Sequence, residues 1–201
     1  LELAENFREQ GIEVTIVQRP RQLMSPFDPE MAAFLHAKMR KKGIRLMLGS
    51  SVEGFQEKSG TIQVLLKGEE PVSADMAVLA IGVTPDTPLA REAGLELGIK
   101  GSILVNDRME TSAPDIYAVG DAVQVRNAVT GSLGLVSLAG PANKQGRIAA
   151  DHLCGLDSAY HGAYASSVIK VFDMTAAATG INEHAAKEAG LSYEKIGLSP
   201  E

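Results

Sequence analysis

The 201-residue chain has no tryptophan, one cysteine and an aromatic content of 4%. Its single cysteine, Cys154, cannot close an intrachain disulfide or form a CxxC pair, which excludes a disulfide scaffold and a self-contained dithiol centre. Sparse aromatics argue against stacking platforms for single-stranded nucleic acid. A basic excess is missing too: the formal net charge is −6 and the charges are scattered, so a small-molecule partner is favoured over nucleic acid. No run approaches the roughly 20 apolar residues that span a bilayer, and no signal peptide is visible. A soluble, cytoplasmic protein with no membrane attachment is expected. GxGxxG occurs nowhere in the chain, so it carries no glycine-rich pyrophosphate cradle. No metal site is expected either, since His161 and His184 are lone histidines without ligand spacing.

What is present is enough for a core: 45% of residues are hydrophobic, which suits one large or two modest domains. Leu1, Ala4 and Phe7 already form an apolar helical stripe with no cap before it, so the chain reads as a piece of a longer protein, truncated at both ends. After Gly11, the β-branched run Val14–Val17 predicts a strand that ends at Gln18 and Arg19. In a dinucleotide-binding βαβ unit an acid in that slot bonds the ribose 2′-hydroxyl, whereas basic groups accommodate a 2′-phosphate. Gln18, Arg19 and Arg21 therefore form either a solvated basic loop or a cofactor-specificity loop that tolerates or favours NADPH. Asp28 as N-cap and Pro29 at the first helical position open an amphipathic helix, with Met31, Phe34, Leu35 and Met39 apolar and Gly43 as its stop. The run Ile44–Leu48 should lie parallel to the first strand. A β-meander follows from Val52 to Val72, and then an apolar run, Met76–Gly82, predicts a buried strand ending in glycine.

Further on, Leu104–Asn106 should return the chain to a different sheet. Ile116–Val119 reads as a buried strand, and Gly120 lets the backbone turn so that Asp121 is delivered to the strand's carboxyl end. There Asp121 is a turn or cap residue, or a carboxylate for a sugar hydroxyl pair. The stretch Ser137, Leu138, Ala139, Gly140, Pro141 begins a helix, either a small-residue core helix or one whose amino-terminal N–H groups meet a cofactor's carbonyls. Cys154, at that helix's carboxyl end, is expected to be a buried structural thiol. Asp157–Ser167 reads as a linker, Val168–Phe172 as a strand, and Asn182 as the cap of a helix stopped by Gly190.

The string Thr111-x-x-Pro-x-Ile-Tyr-Ala-x-Gly-Asp121 closely resembles the second flavin-binding motif of the FAD-dependent pyridine nucleotide-disulfide oxidoreductases. Val78–Thr87 and the Leu138-Ala-x-x-Ala segment resemble further strings of the same family, in family order. Pro26–Met31 and Lys170–Glu183 look most like the coenzyme A-disulfide reductase and NADH oxidase types. The resemblance implies an α/β chain: partial Rossmann-like, three-layer FAD/NAD(P)-binding domains plus the start of an α+β dimerisation domain. It divides the chain into an NAD(P)-binding part at 1–82 lacking its first strand and glycine loop, a carboxyl-side part of the FAD domain at 83–156, and the start of the dimerisation domain at 157–201. It implies FAD and NAD(P)H as cofactors. Gly120 and Asp121 would sit at the ribityl chain, Ser137, Leu138 and Ala139 against the flavin and nicotinamide, Gly82 against the nucleotide, and Gln18 and Arg19 at its ribose. The implied parent is a homodimer passing hydride from NAD(P)H to FAD and on to a small-molecule disulfide such as CoA disulfide, a persulfide or oxygen. Its redox cysteine is expected upstream, so no catalytic residue is assigned here, and the isolated chain should be catalytically silent. Two alternatives are a ferredoxin or rubredoxin reductase type without an active-site thiol, and a noncatalytic nucleotide-binding or interaction module.

Overall fold

Helix α1 (Glu2–Glu9) opens the computed structural model, which describes residues 1–198; residues 199–201, the end of the expected third segment, lie outside the described residues. The α/β chain divides into two units, Leu1–Ile81 with Val168–Ala177, and Gly82–Ser167 with the residues from Ala178 onward.

In the first unit, Gly11 at φ +82° ends the α1 turn, and strand β1 (Thr15–Gln18) pairs in parallel with β2 (Arg45–Leu48). The first strand lies one residue later than its β-branched run suggests. Gln18 belongs to the ladder opposite Leu48, because its carbonyl accepts from the Gly49 and Ser50 N–H groups at 2.9 and 3.2 Å. Helix α2 (Pro29–Lys41) crosses between the two strands with Asp28 as N-cap and Pro29 in its first turn. The Asp28 carbonyl accepts from Met31 and Ala32, while its carboxylate makes no cap bond. The buried face is Ala32, Leu35, His36 and Met39. The expected stripe is therefore corrected: Met31 and Phe34 face outward, Phe34 being 62% exposed. The face that packs is the 32/35/36/39 row, which continues the i, i+3, i+4 spacing through a histidine.

His36 keeps that place by accepting the Leu23 N–H at Nε2, 3.0 Å away. Its pKa is lowered, first by burial and then by the Arg40 guanidinium. The unfolded imidazole titrates near 6.5, so the unfolded chain binds the proton more tightly. The stabilisation is whole above about that pH and is lost as pH falls toward the depressed folded value. Urea unfolding at pH 7.5 and 5.5 is expected to show the natural chain losing more stability on acidification than a His36→Gln variant, which accepts without titrating. Equal losses would remove His36 from the acid response.

Strands β3 (Val52–Lys58), β4 (Thr61–Leu66) and β5 (Val72–Ala74) form the antiparallel meander, with a bulge between Val52 and Gly54. The run after it is not a buried strand. Met76 to Gly82 has no regular secondary structure and pairs with no described strand, and Ile81 is 89% exposed. Apolar side chains favour burial, but a strand forms only where a neighbour supplies ladder bonds, and none of the described strands adjoins this one.

Strands β8 (Ser167–Val171) and β9 (Met174–Ala178) make a two-stranded sheet whose turn joins the first unit. Val171 and Phe172 enter the cluster of Ala4, Leu23, Leu35, Met39 and Ile44, with Met39 wholly buried. Lys38 clamps the turn through Asp173 at 2.9 Å, and Lys42 lies 5.1 Å over the Phe172 ring.

In the second unit, α3 (Pro88–Glu92) starts after Thr87, whose hydroxyl donates to the Gly101 carbonyl at 2.6 Å. Two expected strands are absent here. Ile103 makes only isolated bridges, to Leu97 and Val123, and Tyr117 makes a single one, to Glu110. Ile116 and Val119 are exposed, so the Ile116–Val119 run is an extended approach to a turn, not a buried strand. Met109 and Val123 supply the buried apolar contacts instead. Strands β6 (Val125–Arg126) and β7 (Leu133–Gly134) form a hairpin whose loop is tied by Asn127 Oδ1 accepting from Val129 and Thr130.

Helix α4 runs from Ala139 to Leu153, and α5 (Glu183–Glu188) is capped by Asn182 accepting from Ala185 at 2.9 Å. The expected linker before β8 is pinned rather than free. Tyr160 donates to the Asp107 carbonyl, and Ala163 is buried between Arg126 and Ala128, exchanging backbone bonds with both. Among the described residues no helix is long and apolar enough to cross a membrane.

Candidate cofactor site

Gly120 adopts φ +84°, and the Gly120–Ala122 segment forms one tight turn packed against α4. A side chain is strained at that φ, which explains why glycine stands before the aspartate. Backbone bonds hold the turn's far side: Ile103 N–H donates to the Ala122 carbonyl at 2.8 Å and Gln124 N–H to the Ile103 carbonyl at 3.0 Å. On the near side, Gly120 N–H donates to Gln145 Oε1 at 2.7 Å. Asp121 is thereby left at the surface, its carboxylate exposed.

Leu138 is the N-cap of α4 in extended conformation, with no side chain capping the helix. Pro141 has no N–H to satisfy, and the Ala142 N–H reaches back to the Leu138 carbonyl at 3.2 Å. Ser137, Ala139 and Gly140 are exposed, and a Cβ on Gly140 would meet nothing within 4 Å. The open ground at this uncapped amino terminus carries the positive end of the helix dipole. A carboxylate acceptor at the turn and free helix donors suit a ligand that presents hydroxyls and carbonyl oxygens.

Gly120 and Asp121 are joined to α4, the helix that begins with Leu138 and Ala139. Gly82, at φ +94° and exposed, opens the second unit, and no described hydrogen bond ties it to the turn. Gln18 and Arg19 belong to the first unit, Gln18 half-buried at the strand end and Arg19 exposed. Gly49, at φ +84°, closes that strand end by donating to the Gln18 and Pro20 carbonyls, with the Arg21 side chain lying over it.

Cys154 is the C-cap of α4 and is exposed, which corrects the expectation of a buried thiol. Its neighbour Leu153 is also exposed, since both fall where the helix leaves the core. His184 sits on α5 at 3.3 Å from Glu188. Among the described residues no group of acids, histidines and cysteines could hold a metal ion.

Sequence reasoning passed over two features. One is Gln145. The other is a polar cluster in which the Tyr117 hydroxyl lies 2.8 Å from His152 Nδ1 and 3.4 Å from Glu110 Oε1, with Arg108 at 3.4 Å from the other imidazole nitrogen. The Asn106 amide bond holds the Glu110 carboxyl below its ordinary range, aided by His152, Tyr117 and Arg108. Burial and the Glu110 charge push the Tyr117 phenol up. A polar residue on a helix reads as solvent-facing, and only contact with a distant segment shows otherwise.

Residues 1–146 match the family described as pyridine nucleotide-disulphide oxidoreductase, and the chain belongs to that family. It is 34% identical over 187 residues to an NADH oxidase of Methanocaldococcus jannaschii, covering 92% of this chain and 41% of that protein. The crystal structure of reduced Bacillus anthracis CoADR-RHD superposes with a TM-score of 0.91 at 45% identity, covering 96% of this chain and 34% of that one. An NAD-dependent persulfide reductase from A. fulgidus gives 0.91 at 35% identity, covering 96% and 36%. The chain thus spans about two fifths of the length of the curated relatives it matches.

Proposed function

We propose that the full gene product is an FAD-dependent NAD(P)H oxidoreductase that delivers electrons to a small-molecule disulfide or persulfide, or to oxygen. The observation that carries this reading is the Gly120–Asp121 turn, with its exposed carboxylate, packed on the helix whose amino terminus is uncapped. Bound FAD supplies the hydride and electron chemistry, and the protein supplies orientation and electrostatics. Asp121 accepts hydrogen bonds from the ribityl hydroxyls. Ser137, Leu138 and Ala139 would lie against the flavin and nicotinamide, and the first N–H groups of α4 could donate to cofactor carbonyls. Gly82 makes room for the nicotinamide nucleotide, and Gln18 and Arg19 read its adenosine ribose. The domain reading of 1–82, 83–156 and 157–201, a cytoplasmic location and a homodimeric whole protein belong to the same proposal, as does a redox cysteine outside these residues.

The test is hydride transfer itself. The gene product should hold a flavin that NAD(P)H reduces, with NADPH at least as effective as NADH because Arg19 offers a cation where an acid would select against a 2′-phosphate. Arg19→Glu is expected to move the ratio of kcat/KM for NADPH over NADH toward NADH by roughly 10- to 100-fold, the scale of a lost charge-assisted bond plus added repulsion. An unchanged ratio would take Arg19 out of the ribose site.

A further inference from the structure

Gln145 is 1% exposed, the most deeply buried polar side chain of α4. Its Oε1 accepts the Gly120 N–H at 2.7 Å. A residue at φ +84° turns its N–H away from any ladder, so that donor needs an acceptor brought by another segment. Residues 103, 122 and 124 fix where the turn lies through their backbone bonds. The Gln145 bond fixes the plane of the Val119–Gly120 peptide, through which the chain enters the turn that carries Asp121.

Tyr160 neighbours Gln145. The Tyr160 hydroxyl is buried with no partner at hydrogen-bond geometry, and burial pushes that phenol up while the neighbouring Gln145 side chain offsets part of the shift. Oε1 must face the Gly120 donor, so the amide's orientation is set by the network. The side chain stands about six residues, or about 9 Å along the axis, from the helix start. It therefore acts on the turn and not on a ligand at the amino terminus.

We propose that Gln145 is a positioning residue for Asp121, anchoring the Val119–Gly120 peptide at the entry of the turn to α4 so that the Asp121 carboxylate is presented to the ribityl hydroxyls of FAD. The inference rests on the flavin reading above. Asp121 makes the contact, and Gln145 acts through it. Methionine keeps the length of glutamine without the acceptor, whereas a neutral glutamic acid keeps both.

The experiment uses the full gene product with Gln145→Met, Gln145→Glu and Asp121→Ala, read by hydrogen exchange of the Gly120 amide, FAD dissociation constant and melting temperature. In Gln145→Met, the Gly120 amide is expected to exchange at least about tenfold faster and FAD to bind roughly tenfold more weakly. Gln145→Glu at mildly acidic pH, where a buried carboxyl is neutral, is expected to restore both. Unchanged Gly120 exchange or unchanged FAD affinity in the methionine variant overturns the proposal. So does a loss of affinity shared equally by both Gln145 variants and tracking their melting temperatures, which would mark a packing role. If Asp121→Ala weakens FAD binding and Gln145→Met does not, only the positioning role fails. If Asp121→Ala leaves FAD binding intact, the flavin site itself is misplaced and the positioning role falls with it.

Discussion

Replacing Asp121 with alanine in the full gene product is expected to weaken FAD binding by about 10- to 100-fold, the range of one or two hydrogen bonds to a charged acceptor. Gly120 takes a backbone conformation that other residues resist, its N–H is drawn inward to Gln145, and the next residue, Asp121, is exposed. Its loss should leave the melting temperature of the apoprotein nearly unchanged while the holoprotein loses its ligand stabilisation. Fluorescence titration with FAD gives the dissociation constant, and thermal melts with and without FAD separate the two effects. A variant with native FAD affinity would show that the carboxylate is only a turn residue.

Met39→Ala is expected to destabilise the first unit by about 2–5 kcal/mol, the cost of truncating a buried side chain and leaving a cavity. Met39 is fully buried in a cluster drawn from several places in the chain: Ala4 of α1, the loop at Leu23, Ile44 just before β2, and Val171 and Phe172 at the end of β8 and its turn. Methionine suits such a junction because its unbranched chain fills an irregular space. With several segments meeting in one cluster, a shift that closed the cavity would disturb their packing on one another. Urea unfolding measures the loss, and hydrogen exchange should show Val171 and Phe172 losing protection together with α2. A change below about 1 kcal/mol would mean that the hairpin's seat on α2 contributes little.

These two residues also show what the amino-acid order could disclose. Helices α2 and α4, the meander and the Asn182 cap were legible because their signals are local: a cap, a proline in the first turn, a glycine stop, alternation across a short turn. The Gly120 turn before Asp121 was legible because a glycine that must turn stands within a long specific string. The runs Met76–Gly82 and Ile116–Val119 misled for the same physical reason as each other. Apolar residues report a preference for burial, while strand formation depends on a neighbour that the run itself does not encode. Cys154 misled because a residue type's average burial does not say which turn of a helix leaves the core. Gln145 and His36 were invisible, since each is a polar residue whose partner, Gly120 or Leu23, lies in another segment. A buried polar side chain is chosen by a tertiary vacancy in hydrogen bonding, which periodicity cannot reveal.

The central claim is that this chain carries the ribityl side of a flavin site in an NAD(P)H oxidoreductase. The most direct measurement is the visible absorption spectrum of the full gene product, recorded without oxygen before and after NADPH is added. The account predicts flavin bands in the purified protein that bleach on addition of NADPH. A folded, colourless product that takes up no added FAD would contradict it.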